Sequence, residues 1–112
     1  MNLSEFISSK LRNAWIEERN IKVYVRKSIR LFGKEMYQCL DLATAEVDED
    51  KKGRGIFTKF LKQFDQEAKK LNRAVFLESI LEPRLLEFFL KNGYKYVPGT
   101  TDLAPNMYKI VA

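Results

Sequence analysis

The chain has no histidine, one cysteine, three prolines and five glycines among its 112 residues, and no long uninterrupted apolar run. Without histidine, serine–histidine chemistry and most transition-metal sites are excluded, leaving carboxylates, tyrosines, hydroxyls and backbone dipoles for any catalysis. The lone Cys39 excludes an intrachain disulfide and a cysteine-rich zinc site. No stretch approaches a membrane span or a signal-peptide core, so a cytosolic protein with no membrane partner is expected. What is present, 46% hydrophobic and 31% charged residues, fits one globular domain over residues 1–112. At that size roughly two-thirds of the unfolded surface can be buried. The net charge of +5 suits acidic partners such as nucleotide phosphates or nucleic acid, without choosing between them.

Asn2 and Glu5 stand at capping-box spacing. Leu3, Phe6, Ile7, Leu11, Ala14 and Trp15 then recur at helical intervals, which predicts a helix running to about Glu18 and ended by Asn20. From Ile21 the period becomes two. Ile21, Val23, Val25, Ile29 and Leu31 share one face, with Lys27 the exception; Lys22, Tyr24, Arg26, Ser28, Arg30 and Phe32 share the other. Gly33-Lys34 turns the chain, and Met36 to Val47 returns as a second strand. Its centre, CLDLATAEV, is apolar on both faces except at Asp41, Thr44 and Glu46, as in a strand covered on both sides.

Ile56, Phe57, Phe60, Leu61, Phe64, Ala68 and Leu71 form the stripe of an amphipathic helix, and Asn72 supplies its stop. Ala74 to Ile80 reads as a short buried strand, expected to pair in parallel with the strand ending at Val47. Pro83 opens a further helix bearing Leu85, Leu86, Phe89 and Leu90, which Gly93 caps. Tyr94 to Val97 and Asn106 to Val111 complete the strands, with Pro98-Gly99 turning between them. The expected order is helix, strand, strand, helix, strand, helix, strand, strand, an α/β (α+β) arrangement with a mixed central sheet flanked by helices.

The most informative stretch is AEVDEDKKGRGIFTKF, from Ala45 to Phe60. A strand ending at Val47 gives way to a charged loop, and Gly53-Arg54-Gly55 leads into the amphipathic helix. Two glycines at a strand-to-helix turn let backbone N–H groups converge on a guest with no Cβ in the way. The first amides of a helix lack intrahelical partners and the dipole there favours negative charge, so the turn reads as a site for phosphate or pyrophosphate. A Walker loop needs Gly-Lys-Ser/Thr, whereas Gly55 is followed by Ile56-Phe57; a dinucleotide fingerprint needs a third glycine where Thr58 stands. A plain flexible helix start remains the simplest alternative.

Val47 followed by Gly53-Arg54-Gly55-Ile56 resembles the acetyl-CoA loop of the GNAT N-acetyltransferases, although Asp50 stands where that family has Gln or Arg. Phe88-Phe89-Leu90-Lys91-Asn92-Gly93-Tyr94 resembles a second phrase of the family, in order and correctly spaced. The resemblance runs from about Leu40 to Val97, with a first half shorter than is usual, and is similar to the compact members often encoded by bacteriophages.

The resemblance implies an acetyl-CoA-dependent transfer of an acetyl group directly to a primary amine, on a small molecule or a protein. It implies that the amides of Lys52, Gly53, Arg54, Gly55 and Ile56, with Phe57 and Thr58 behind them, hold the pyrophosphate. Ala45 and Val47 would flank the pantetheine, and one strand amide would polarise the thioester carbonyl. Glu46 matches the position of a catalytic glutamate in several members, with a solvated strand-end carboxylate as the alternative; Glu78 and Glu82 are lesser candidates. The tyrosine that often protonates the leaving thiolate maps to Phe89, which has no proton to give. Phe89 would then pack as core or against the pantetheine, leaving Ser79, Tyr94 or water to supply the proton.

Two other readings stay open. Lys22, Arg26 and Arg30 alternate with Tyr24 and Phe32 along one strand face, with Lys27 and Lys34 nearby, an arrangement that can bind nucleic acid by phosphate contacts and stacking. The plainer account of that face is a solvated surface partly covered by the N-terminal helix. The chain can also be read as a non-catalytic module that forms a homodimer by pairing an exposed edge strand.

Overall fold

The computed structural model describes residues 1–51, 53–78, 83–98 and 105–110. The first helix, α1 (Leu3–Ser8), begins with the capping box: Asn2 Oδ1 accepts from the Glu5 amide and Glu5 Oε1 accepts from the Asn2 amide, both at 2.9 Å. It ends ten residues earlier than the predicted boundary at Glu18. Ser9 turns extended, and its hydroxyl donates to the Phe6 carbonyl at 2.7 Å while accepting from the Leu11 amide. A serine that satisfies the helix-end backbone in this way competes with continuation of the helix.

The residues beyond are a strand, β1 (Asn13–Glu18), and not a helix. Ala14 and Ile16 turn inward at a period of two while Trp15 and Glu17 turn outward. A short run with apolar residues at 11, 14 and 15 fits either period, and pairing with the next strand decides it. Asn20, at φ 69°, sits in the hairpin turn between the two strands and does not end a helix.

Strands β2 (Ile21–Phe32) and β3 (Glu35–Val47) form a long antiparallel hairpin through Gly33-Lys34. A 3₁₀ turn (Glu49–Lys51) leads to α2 (Ile56–Lys70), then β4 (Ala74–Leu77), α3 (Pro83–Lys91), β5 (Lys95–Tyr96) and β6 (Met107–Lys109). The sheet order is β1-β2-β3-β4-β6-β5, antiparallel except for the parallel pair β3–β4. The final strand therefore inserts between β4 and β5. The described strands after Gly93 are shorter than expected, and Ile80, Gly99 and Val111 lie outside the described residues.

The described helices all pack on one face of this mixed sheet. Leu3 and Phe6 of α1, Phe60, Leu61, Phe64 and Ala68 of α2, and Phe89 of α3 close over Ile16, Val23, Val25, Leu40, Leu42, Val75, Leu77 and Met107. Burying each of these larger side chains contributes about 1.5–3 kcal/mol. The N-terminal helix is thus a neighbour of α2, and it does not cover the basic face of β2. The other face carries a smaller cluster of Phe32, Cys39, Ala74 and Phe76, edged by Tyr37 and Tyr108. Beyond the helices the β2–β3 hairpin projects, leaving Ile29, Leu31 and Met36 more than 60% exposed rather than in the core.

Candidate functional site

The parallel pair β3–β4 is joined over Cys39↔Ala74 to Leu42↔Leu77, and the Glu78 amide adds a last bond to the Leu42 carbonyl at 3.1 Å. Past that point β3 runs on to Val47 paired with β2 alone among the described residues. Among the described residues the pairing of the two strands therefore ends at Leu42 and Glu78. At the same place β3 carries an extra residue: Val25 pairs with Leu42 and Tyr24 with Thr44, so Ala43 is a bulge. After the bulge Ala45 and Val47 lie on the helix face, opposite Val23 and Ile21, while Thr44 and Glu46 lie on the other face with Tyr24 and Lys22. Glu46 and Ala45 are both exposed.

The loop that follows returns to the start of α2. The Asp48 amide donates to the Asn20 carbonyl at 2.9 Å, tying it to the β1–β2 turn. Gly53 and Gly55 have φ of +80° and +73°, in the left-handed region where a Cβ is strained, and a Cβ built at either would project into open space. Gly55 is the N-cap of α2 and brings no side-chain cap, and the first turn holds no carboxylate. The first helical bond runs from the Lys59 amide to the Gly55 carbonyl, so the amides of Ile56, Phe57 and Thr58 have no intrahelical acceptor. Glycines that leave this space open, amides without intrahelical acceptors and the positive end of a 15-residue helix together suit the pyrophosphate of a nucleotide cofactor. Arg54 is exposed beside the turn, and Asp50 directs its carboxylate to solvent, 79% exposed and 3.9 Å from Lys51. Lys52 and Ser79 lie outside the described residues.

Phe89 and Tyr94 are placed deep in the molecule. Phe89 is 1% exposed among Phe57, Phe88 and Tyr94, with ring centroids 5.4–6.1 Å away. The Tyr94 hydroxyl donates to Asp65 of α2, and burial followed by that carboxylate's charge raises its pKa above the ordinary phenol value. Asp65 lies nine residues along α2 from Ile56, about 14 Å from the helix start. Tyr94 is therefore a buried, firmly protonated clamp between β5 and α2, and its geometry does not suit a proton donor at the parting of the strands. Burial also pushes the Cys39 thiol up to about 11, which leaves it a poor nucleophile.

A charged group on the open face was only half visible in the sequence. Asp41, fully buried on β3, accepts from Ser28 Oγ at 2.7 Å, from Arg26 Nε at 3.2 Å and from Arg30 at 2.7 Å. Arg26 also donates to Glu78 at 2.7 Å, and that bond is the first cause of its raised pKa. Arg30 lies 3.7 Å over the Phe76 ring. These contacts revise the nucleic-acid reading of this face: Arg26 and Arg30 are engaged by carboxylates, Phe32 is buried, and Lys27 lies on the helix face over Phe6. The available signal was a lone acid in an apolar strand beside a strand with arginines at every fourth position.

No family profile matches the sequence, and no curated protein matches it. Solved structures do resemble it. The histone acetyltransferase HPA2 and related acetyltransferase of Corynebacterium glutamicum superposes with a TM-score of 0.62 at 15% identity, covering 85% of this chain and 59% of that one. A GNAT-family acetyltransferase of Staphylococcus aureus gives 0.57 at 14% identity, over 83% and 61%. This chain has the GNAT fold. A further GNAT-fold neighbour, the AtaT toxin bound to the C-terminus of the antitoxin AtaR and acetyl-CoA, gives 0.52 at 12% identity, over 79% and 56%. The chain spans about three-fifths of the length of these neighbours. Within this fold, β3 of the parallel pair β3–β4 is the strand that leads on into the glycine turn.

Proposed function

We propose that the chain is an N-acetyltransferase that binds acetyl-CoA where β3 and β4 part and passes the acetyl group directly to a primary amine. The observation that carries this reading is the end of the β3–β4 pairing at Leu42 and Glu78, on the strand that leads through the glycine turn to the uncapped start of α2. In this reading the amides from Gly53 to Thr58, with Lys52, hold the pyrophosphate, and Arg54 adds a charged contact. Ala45 and Val47 flank the pantetheine on the helix face, and Phe57 and Phe89 form the apolar wall behind it. The carbon–sulfur bond breaks as the carbon–nitrogen bond forms; the amine's proton leaves through Glu46 or water, and the thiolate is protonated from Ser79 or solvent.

The reading is supported by a neighbour holding acetyl-CoA and by neighbours named as acetyltransferases. Calorimetric titration with CoA tests it: binding is expected at micromolar to millimolar concentration, and Arg54→Glu should weaken it about tenfold. No heat of binding at millimolar CoA would remove the assignment. A second reading, a non-catalytic binding module, is favoured by one feature, the absence of a hydroxyl at Phe89. CoA binding without turnover on a range of amines would select it.

A further inference from the structure

The face of the sheet away from the helices has a character that the chain's overall charge does not predict. Trp15 of β1 stands there 46% exposed, its ring 5.2 Å from Tyr24 of β2, in a cross-strand row that continues to Thr44 of β3. Lys22 already places its ammonium 4.9 Å over the Trp15 ring and 3.9 Å from Glu17. The chain thus offers its own alkylammonium to an aromatic face and a carboxylate, the pairing that recognises a cationic amine. At the other end of the row, where the strands part, Glu78 is the residue that follows β4.

Glu78 is not a loose surface acid. Its amide is fixed to the Leu42 carbonyl and its carboxylate to Arg26, and Arg26 is held in turn by the fully buried Asp41. One guanidinium therefore braces a half-exposed carboxylate against a buried one. Around this row the exposed or partly exposed Glu17, Glu46 and Glu78 match Lys22, Arg26 and Arg30 in number, and the buried Asp41 holds both arginines, in a chain whose net charge is +5. From β1 to β4 is three strand spacings, roughly 14 Å, the span of an extended polyamine rather than of a single ammonium.

We infer that this open face binds an alkyl polyamine, with Glu78 holding one ammonium at the parting of the strands, Trp15 and Glu17 receiving another, and Asp41 and Arg26 acting as positioning residues for Glu78. As the acceptor site for acetyl transfer the inference rests on the function proposed above; as a polyamine site it stands by itself. The two faces then divide the substrates, cofactor from the side of α2 and amine from the side of Glu78.

Trp15 is the chain's one tryptophan, so its emission reports this face directly. Spermidine is titrated at constant ionic strength into the full chain, with and without CoA, and a saturable change in Trp15 emission is expected. Glu78→Gln should raise the apparent Kd at least fivefold, Asp41→Asn should do so without contacting the amine, and Lys22→Gln should lower it by removing an internal competitor. Circular dichroism and melting confirm that each variant is folded, and Glu78→Asp should recover part of the loss. An emission that spermidine does not change, or equal affinity in wild type and Glu78→Gln, overturns the proposal. Failure to bind CoA with an intact spermidine response overturns the transferase reading and leaves the amine site standing.

Discussion

The Tyr94 phenol donates to Asp65, and Lys109 reaches the second oxygen of the same carboxylate at 3.2 Å while standing over the Tyr94 ring. One acidic side chain of α2 thereby fastens β5 and β6 to the helix layer. Because folding raises the Tyr94 pKa, the native state keeps this proton at pH values where the unfolded chain releases it. Stability is unaffected below the ordinary phenol value of about 10 and falls above it, by about 1.4 kcal/mol per pH unit for this one group. Denaturant melts between pH 10 and 12 should show a steeper fall in wild type than in Tyr94→Phe, the slope left in the variant coming from other groups whose pKa folding raises, Cys39 among them.

Asp41 should be the most sensitive polar position in the chain. Asp41→Ala leaves Arg26 and Arg30 beside an empty buried site and should cost about 3–5 kcal/mol. Glu78→Ala removes only the partly exposed partner of Arg26 and should cost under about 1 kcal/mol. Urea unfolding of both variants measures the difference; equal losses would mean that Asp41 is not the hub.

Phe89→Tyr introduces a hydroxyl into an aromatic cluster that is almost wholly buried. Without a partner it should destabilise the apo chain by about 1–3 kcal/mol. If the ring edge faces the pantetheine, saturating CoA should protect Phe89→Tyr more than wild type in thermal shift assays. An equal shift in the two would place Phe89 in the structural core alone.

Glu46 and Cys39 separate direct transfer from a covalent route. Glu46→Gln should lower turnover on a polyamine or lysine-rich peptide most near neutral pH, within the typical general-base range of about 10²–10⁴-fold, and less at high pH where free amine is abundant. Cys39→Ser should retain activity, since that thiol is buried and its pKa is raised to about 11. A pH–rate profile for both variants is the measurement, and an acetylated Cys39 competent for transfer would contradict direct attack.

Local chemistry was legible in the residues. Asn2 and Glu5 form the box their spacing announced, Asn72 stops α2 at φ 56°, Gly93 follows α3 at φ +89°, and the stripe from Ile56 to Ala68 faces the core. Tertiary choices were not. Residues 13–18 satisfy two periodicities, and only the ladder to β2 selects one. The insertion of β6 between β4 and β5 leaves no local trace, because a three-residue strand carries no pattern of its own. At the candidate site the glycine turn was visible in order and spacing, whereas the brace from Asp41 through Arg26 to Glu78 joins residues up to 52 positions apart.

Ala43 makes the middle of β3 tolerant of chain length as well as of side-chain identity. The strand changes parity there, so residues 44–47 face the way they do because one residue goes uncounted by β2. Deleting Ala43 would leave Leu42 opposite Val25 and Thr44 opposite Tyr24 as successive residues of an unbroken ladder. Glu46 would stay on the open face and Val47 on the helix face, and only the local kink and added twist of the bulge would be lost. Ala43→Ser would likewise disturb neither face. Among chains that share this hairpin, both substitutions and single-residue gaps at position 43 should be common.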